Sequence, residues 1–216
     1  MKKLVFLFCA GSLIASCSKD IIRGDGPVVT ESRSLNNFTA VSVSGSTDVY
    51  ITYGSNFKVE VKGHSNLLPH FESRLINNTL YLGYESGVNV HNDNTEVFIT
   101  MPELKGLQLS GSCNISTTGS FTGNTSFEAK IDGSGNITIA QGSTQNFKSS
   151  ITGSGNISAF GMVAETAETN TSGSGNTEIT ATNQLKVKIE GSGNVFYRGT
   201  PTVLINITGS GVVVPR

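Results

Sequence analysis

The sequence predicts an all-β protein, a right-handed parallel β-helix or β-solenoid-like fold with a less regular β region at its N-terminal side, and three observations carry that prediction. The first is composition. Of 216 residues, 25 are Gly, 27 Ser, 23 Thr and 19 Asn, whereas charged residues make up only 14% and aromatics 7%. These small polar types are poor in helix interiors and good in turns, so a helical bundle is excluded. Disorder is disfavoured by the many Val, Ile and Thr residues and a net charge of −1, and collagen by the lack of a three-residue Gly period. The second observation is a recurring motif, GSGN, at Gly133, Gly153, Gly173 and Gly191, with variants GSTD at Gly45, GSCN at Gly111 and GSGV at Gly209. From Gly111 onward the copies are 22, 20, 20, 18 and 18 residues apart, which sets coils of about 18–22 residues. The third is alternation before each motif: Phe127, Ala129 and Ile131, then Phe147, Ser149 and Ile151, then Leu185, Val187 and Ile189 face one way. The residues between them are polar in every copy except at Leu204, the signature of a strand with one wet face.

In chain order, residues 1–16 read as a secretory signal: two lysines, an apolar stretch too short for a permanent span, and small residues before Cys17. The segment Leu13–Cys17 resembles the bacterial lipobox, so Cys17 is expected to carry lipid, and residues 17–35 to form a tether. More than one acyl chain gives a stable anchor, so the expected partner here is a membrane. By analogy with known lipoprotein sorting, Ser18 after the cysteine, in place of Asp, implies an outer-membrane lipoprotein, periplasmic or surface-exposed. Without residues 1–16, 13 basic and 16 acidic residues remain, a net charge of −3 with no footprint for nucleic acid. Cys9 leaves with the signal and Cys17 takes the lipid, so Cys113 stands alone and no intrachain disulfide is expected.

Residues 36–214 read as one domain, with irregular coils over 36–105 and regular repeats over 106–214. Alternation persists in the first part, as in Val41 and Val43, Val49 and Ile51, and Val97 and Ile99. The 66 residues between Gly45 and Gly111 have room for three degenerate coils, with Gly63–Asn66 as a decayed corner and Leu67–Ile76 as a short helical turn or excursion. A solenoid also needs caps, and the irregular part is expected to supply one.

Within the motif, glycines such as Gly133, Gly153, Gly173 and Gly191 suit a left-handed or closely packed corner. Each unit reads as strand, GSGN corner, strand and a looser corner near Gly142, Gly161, Asn183 or Gly199. Stacking the units aligns Asn114, Asn136, Asn156, Asn176 and Asn194 in one column, where side-chain amides can bond from coil to coil. A second column, Glu128, Lys148, Glu168 and Lys186, sets opposite charges face to face. The serine of the motif is a candidate for bonding the turn backbone, and Thr47 and Cys113, in place of the third-position glycine, are expected to sit in a different turn.

Catalysis finds little support. Glycoside chemistry needs two carboxylates across one bond, whereas Asp132 and Glu190 share a column but are separated by Thr152 and Ser172, and Glu178 faces Thr138 and Ser158 alone. His64, His70 and His91 lie in the irregular part, with Asp93 and Glu96 near the last, and read as solvated loop residues. No metal, cofactor or catalytic residue is therefore expected, and the motif lacks the aspartate of calcium-binding repeats.

A lipoprotein-like start, repeated GSGNI segments and the stretch FTAVSVSGSTDVYI together resemble the bacterial family "putative auto-transporter adhesin, head GIN domain", common in Bacteroidetes, over about residues 36–214. The resemblance implies an all-β, β-helix-like fold outside the cytoplasm and leaves the molecular function open. A C-terminal membrane barrel is not expected, because no series of barrel-type strands precedes Arg216. The leading expectation is a non-catalytic envelope lipoprotein presenting a solenoid surface for adhesion to, or binding of, a glycan or an envelope protein. The alternatives are a polysaccharide-acting enzyme of β-helix type and a purely structural envelope component.

Overall fold

The computed structural model describes residues 20–216, so the signal at 1–16 and the lipidation of Cys17 lie outside the described residues. In chain order the strands are β1 (Asp20–Arg23), β2 (Val28–Ser32), β3 (Ala40–Gly45), β4 (Asp48–Tyr53), β5 (Lys58–His64), β6 (Phe71–Ile76), β7 (Thr79–Tyr84), β8 (Val88–His91), β9 (Glu96–Met101) and β10 (Gly106–Gly111). They continue as β11 (Asn114–Thr118), β12 (Ser120–Gly133), β13 (Asn136–Thr138), β14 (Gln141–Gly153), β15 (Asn156–Gly173), β16 (Thr177–Gly191), β17 (Val195–Arg198), β18 (Thr202–Gly209) and β19 (Val213–Pro215).

These strands stack as a parallel β-solenoid of about six turns. The stretches entering each glycine corner form one sheet, running β7, β3, β10, the later parts of β12, β14, β15 and β16, then β18. Those leaving the corner form a second, running β9, β4, β11, β13, the starts of β15 and β16, β17 and β19. A third, shorter sheet joins the start of β12 to that of β14 and to the middles of β15 and β16. Each regular coil is thus three-sided, with one more face than the two-strand unit read from the repeat. The third face escapes the repeat because its columns are broken by register shifts, between Phe121 and Asn124 and between Ala159 and Val163.

Register is motif on motif, with Gly111, Gly133, Gly153, Gly173, Gly191 and Gly209 paired in succession. The first-position glycines have left-handed φ values, from +101° at Gly45 to +141° at Gly133. From Gly45 to Gly191 each of their carbonyls accepts a backbone N–H from the next coil, as in Ser174 N to Gly153 O at 2.9 Å. The corner serines Ser134, Ser154, Ser174 and Ser192 are exposed, and it is their backbone rather than their hydroxyls that makes these bonds. Gly111 keeps the same left-handed corner at +123° although Cys113 follows it, so the turn there is not of a different kind. Cys113 is a free, buried thiol, and burial pushes its pKa up to about 11.

The irregular part is not a run of coils between two corners. Gly45 pairs directly with Gly111 and Val49 with Ile115, so these corners are neighbours along the axis. The intervening segment folds back to the outside of the first coil: β7 pairs with β3 and β9 with β4 on their free sides. Beyond this out-of-order coil, β6 closes one sheet antiparallel to β7, and β5 and then β2 close the other, also antiparallel. Gly63 lies inside β5 against Thr95 and Leu68 and is no corner. A 3-10 turn, Leu68–His70, places Leu67 and Leu68, both fully buried, at this end of the core. Charged pairs line the closing strands, Lys62 to Glu96 at 2.9 Å and Arg33 to Glu31 at 2.8 Å, which blunts the edge against further pairing. β1 pairs with β8 beside the same coil, so the chain enters at the capped end.

Inward columns are apolar, and Phe127 stacks on Phe147 at 5.9 Å with ring planes 9° apart. The exceptions include Thr47, Ser149, Thr169, Thr171 and Thr177, which are buried with hydroxyls that have no hydrogen-bond partner among the described residues. Burying an unpaired hydroxyl costs roughly 1–3 kcal/mol. Thr169→Val and Thr171→Val are therefore expected to stabilise the fold by about 1 kcal/mol each, read as a raised urea unfolding midpoint. A lowered midpoint would show that these hydroxyls are satisfied within the core.

Candidate functional site

The second sheet, on the side leaving the glycine corner, carries the most regular polar surface. Its inward residues stack in register from coil to coil: Val49, Ile115, Ile137, Ile157, Thr177 and Val195. The outward residues just before them form the asparagine column. Asn136 Nδ2 donates to Asn114 Oδ1 at 3.0 Å, Asn156 Nδ2 to Asn136 Oδ1 at 2.9 Å, Asn176 Nδ2 to Asn156 Oδ1 at 3.0 Å, and Asn194 Nδ2 to Asn176 Oδ1 at 2.9 Å. From Asn136 Oδ1 upward each carbonyl also accepts the backbone N–H of the next asparagine, at 3.0–3.2 Å.

The ladder has a defined foot and top. At the foot, Asp48 Oδ1 accepts both the backbone N–H and Nδ2 of Asn114, at 2.8 and 3.1 Å. At the top, Asn194 Oδ1 accepts the Val212 N–H at 3.1 Å. All amides point the same way, with their NH₂ ends toward the carboxylate, so the charge and the row of dipoles reinforce one another. The carbonyls of Asn136, Asn156 and Asn176 are filled by two donors each, but every NH₂ retains one hydrogen. Toward a ligand the ladder is thus a row of donors, one per coil, at the strand spacing of about 4.8 Å.

Beside the ladder runs a groove of about 550 Å³ over five coils. Its floor is Ser116, Thr138 and Ser158, in register from coil to coil, with Glu178 and then Phe196 continuing the column. At the lower end the same column holds Tyr50 and Phe98, stacked at 5.2 Å with planes 16° apart and both more than a third exposed. The Tyr50 hydroxyl is held above its ordinary pKa by desolvation first and by Glu96 and Asp48 next. At the upper end the Arg216 guanidinium lies 4.7 Å over the Phe196 ring, and Arg198 lies 4.1 Å over Phe160. The face therefore has a hydroxyl and amide floor with aromatic rings at both ends.

The charged column has the expected register, Glu128 to Lys148 to Glu168 to Lys186, yet among the described residues no ion pair closes between these coils. Pairs form along strands instead, as in Lys130 to Asp132 at 3.0 Å and Lys188 to Glu190 at 2.8 Å. The histidines do not gather. His64 Nδ1 lies 3.0 Å from Gly26 O, His70 pairs with Glu85, and His91 sits on β8. Asp93 is engaged by Tyr84 Oη at 2.7 Å and Glu96 by Lys62. Among the described residues no three His, Cys, Asp or Glu side chains converge to hold a metal ion.

Two features of this face are absent from the sequence reading. Asp48 is the aspartate of the GSTD variant and would have joined the asparagine column had Gly45 been placed next to Gly111. The aromatic ends were hidden because Phe98 and Tyr50 become neighbours only through the out-of-order coil.

Comparison with known proteins agrees with this architecture. Residues 37–201 match the family described as "Putative auto-transporter adhesin, head GIN domain". A putative adhesin from Bacteroides fragilis superposes with a TM-score of 0.71 at 20% identity, covering 90% of this chain and all of that one. A putative lipid binding protein from Parabacteroides distasonis gives 0.64 at 20% identity, over 91% of this chain and all of its own. A putative adhesin from Parabacteroides merdae gives 0.56 at 22% identity, over 91% and 99%. At such identities the likeness is one of fold. No curated protein matches the chain.

Proposed function

The chain belongs to the family described as "Putative auto-transporter adhesin, head GIN domain", and on that premise we propose that it is a non-catalytic envelope module that binds a glycan along the asparagine-ladder face. The observation that carries this reading is the groove itself: a long, shallow channel floored by Ser116, Thr138 and Ser158 and walled by Asn136, Asn156 and Asn176. Sugar hydroxyls and ring oxygens accept from the free amide hydrogens and exchange bonds with the floor hydroxyls. The apolar faces of sugar rings pack on Tyr50, Phe98 and Phe196. Lipidation at Cys17 would tether the module to the outer membrane, with the capped end toward the anchor because β1 enters there. A polar floor of this kind suits a saccharide better than an acyl chain, although one solved relative of this fold is named a lipid binding protein.

The rival reading, a polysaccharide-acting enzyme, needs a second carboxylate near Glu178. Asp48 is four coils away, on the order of 19 Å at the strand spacing, far beyond the roughly 5–10 Å that glycosidases use. A glycan array tests the proposal with the chain from residue 18 and with Ser158→Lys, which fills the groove from an outward position. The wild type is expected to bind a set of neutral glycans and the variant to lose them at unchanged melting temperature. Binding that survives Ser158→Lys, or capture of an envelope protein without any glycan, would overturn the assignment.

A further inference from the structure

The two ends of the solenoid are finished in opposite ways. At the capped end antiparallel strands with charged residues close both sheets, and Leu67 and Leu68 fill the core. At the other end, among the described residues, β18 and β19 each pair on one side only, with β16 and β17. The inward column Ala129, Ser149, Thr169 and Val187 is at most 3% exposed, but its next member, Ile205, is 55% exposed. The outward column Glu128, Lys148, Glu168 and Lys186 is charged in every coil until Leu204, which is 49% exposed. Between Arg198 and Arg216 there is no charged residue at all. Exposed sheet edges are ordinarily blunted by charge, by an internal proline or by cover. Among the described residues β18 has none of these, since Pro201 precedes it and Pro215 lies on β19.

We propose that this open edge is closed by a second copy of the chain, head to head, with β18 pairing antiparallel to β18 of its partner about a twofold axis at Ile205. Three considerations select this occupant. A head-to-tail contact would bring the neutral edge onto the capped end, where Glu31, Arg33, Glu72 and Arg74 line the closing strands. A twofold pairing instead meets a neutral edge with its own image, so no charge is buried or opposed, and it closes without growing into a fibre. Centring the axis on Ile205 sets Val203 against the partner's Ile207, inward against inward, and so continues the core through the join. Because each chain enters at its capped end, the two entry points lie at opposite ends of the paired rod, the arrangement that bridges two facing surfaces.

Sedimentation velocity of the chain from residue 18, which contains every described element, tests this over a concentration series. The wild type is expected to shift from monomer to dimer. Leu204→Lys, an outward change that leaves the core untouched, is expected to weaken the dimer by more than about tenfold at an unchanged melting temperature. Ile205→Cys is expected to form a disulfide-linked dimer on mild oxidation, whereas Thr200→Cys is not. A wild type that stays monomeric throughout overturns the proposal. A dimer indifferent to Leu204→Lys, or cross-linked equally through Thr200→Cys, overturns the placement of the interface.

Discussion

Gly173→Ala is expected to cost about 4 kcal/mol or more, a large part of the 5–15 kcal/mol that holds a domain together, and to leave little soluble protein. Two separate penalties combine. The residue has φ of +130°, a region that side chains rarely adopt, which alone costs on the order of 1–3 kcal/mol. A Cβ there would also stand 2.2 Å from the Gly153 carbonyl oxygen and 3.0 Å from its carbon, atoms of the neighbouring coil's backbone that have no rotamer to move aside. Relief requires the coils to separate, which breaks the Ser174 to Gly153 bond and its neighbours. Gly123→Ala isolates the first penalty, because Gly123 has φ of +77° but nothing within 4 Å of its Cβ position. Thermal melting followed by circular dichroism should show a modest loss for Gly123→Ala and a severe one for Gly173→Ala. Equal losses would mean that conformational strain, not coil-to-coil contact, dictates glycine in the corner.

The second large effect is expected from Asn156→Leu. Its Nδ2 donates to Asn136, and its Oδ1 accepts both the backbone N–H and the Nδ2 of Asn176, so three bonds disappear together. The backbone N–H of Asn176 is left without that acceptor, which with the lost side-chain bonds costs about 2–3 kcal/mol. Ser154→Ala in the same corner is the control, because its hydroxyl is exposed and the corner bond is made by its backbone N–H; a change within about 0.5 kcal/mol is expected. Urea unfolding measures both. Asn156→Leu within the range of the control would show the ladder to be a consequence of stacking and not a contributor to it.

The regular half of the molecule was legible because its signals are local: alternation sets the face, the glycines set the corner, and constant spacing stacks one corner on the next. Asn136, Asn156, Asn176 and Asn194 come together from that spacing alone, as their bonds show. The irregular half was not legible, because sequence order and spatial order part company there. Gly45 and Gly111 are 66 residues apart yet adjacent, while Leu80 and Val97 lie outside the coil that precedes them in sequence. One local signal was available: Asn77 and Asn78, both with left-handed φ, make the two-residue turn that reverses β6 into β7. A hairpin there ends the parallel stacking on the outer side of β7 and points to a cap. The candidate site divides the same way. Its amide wall follows from the repeat, whereas its foot at Asp48 and its aromatic pair, Tyr50 and Phe98, depend on the out-of-order coil.

The claim on which the functional account rests is that ligand lies along the ladder face, and the chain offers a clean reporter for it because it contains no tryptophan. Phe196→Trp places a single indole at the end of the groove, and Tyr81→Trp places one on the outward side of the first sheet, at a position 41% exposed. Titration with a glycan captured on the array is expected to shift the emission of Phe196→Trp saturably and to leave Tyr81→Trp unchanged. A response from Tyr81→Trp alone, or from neither while the glycan still binds, would contradict the assignment of the ladder face as the binding surface.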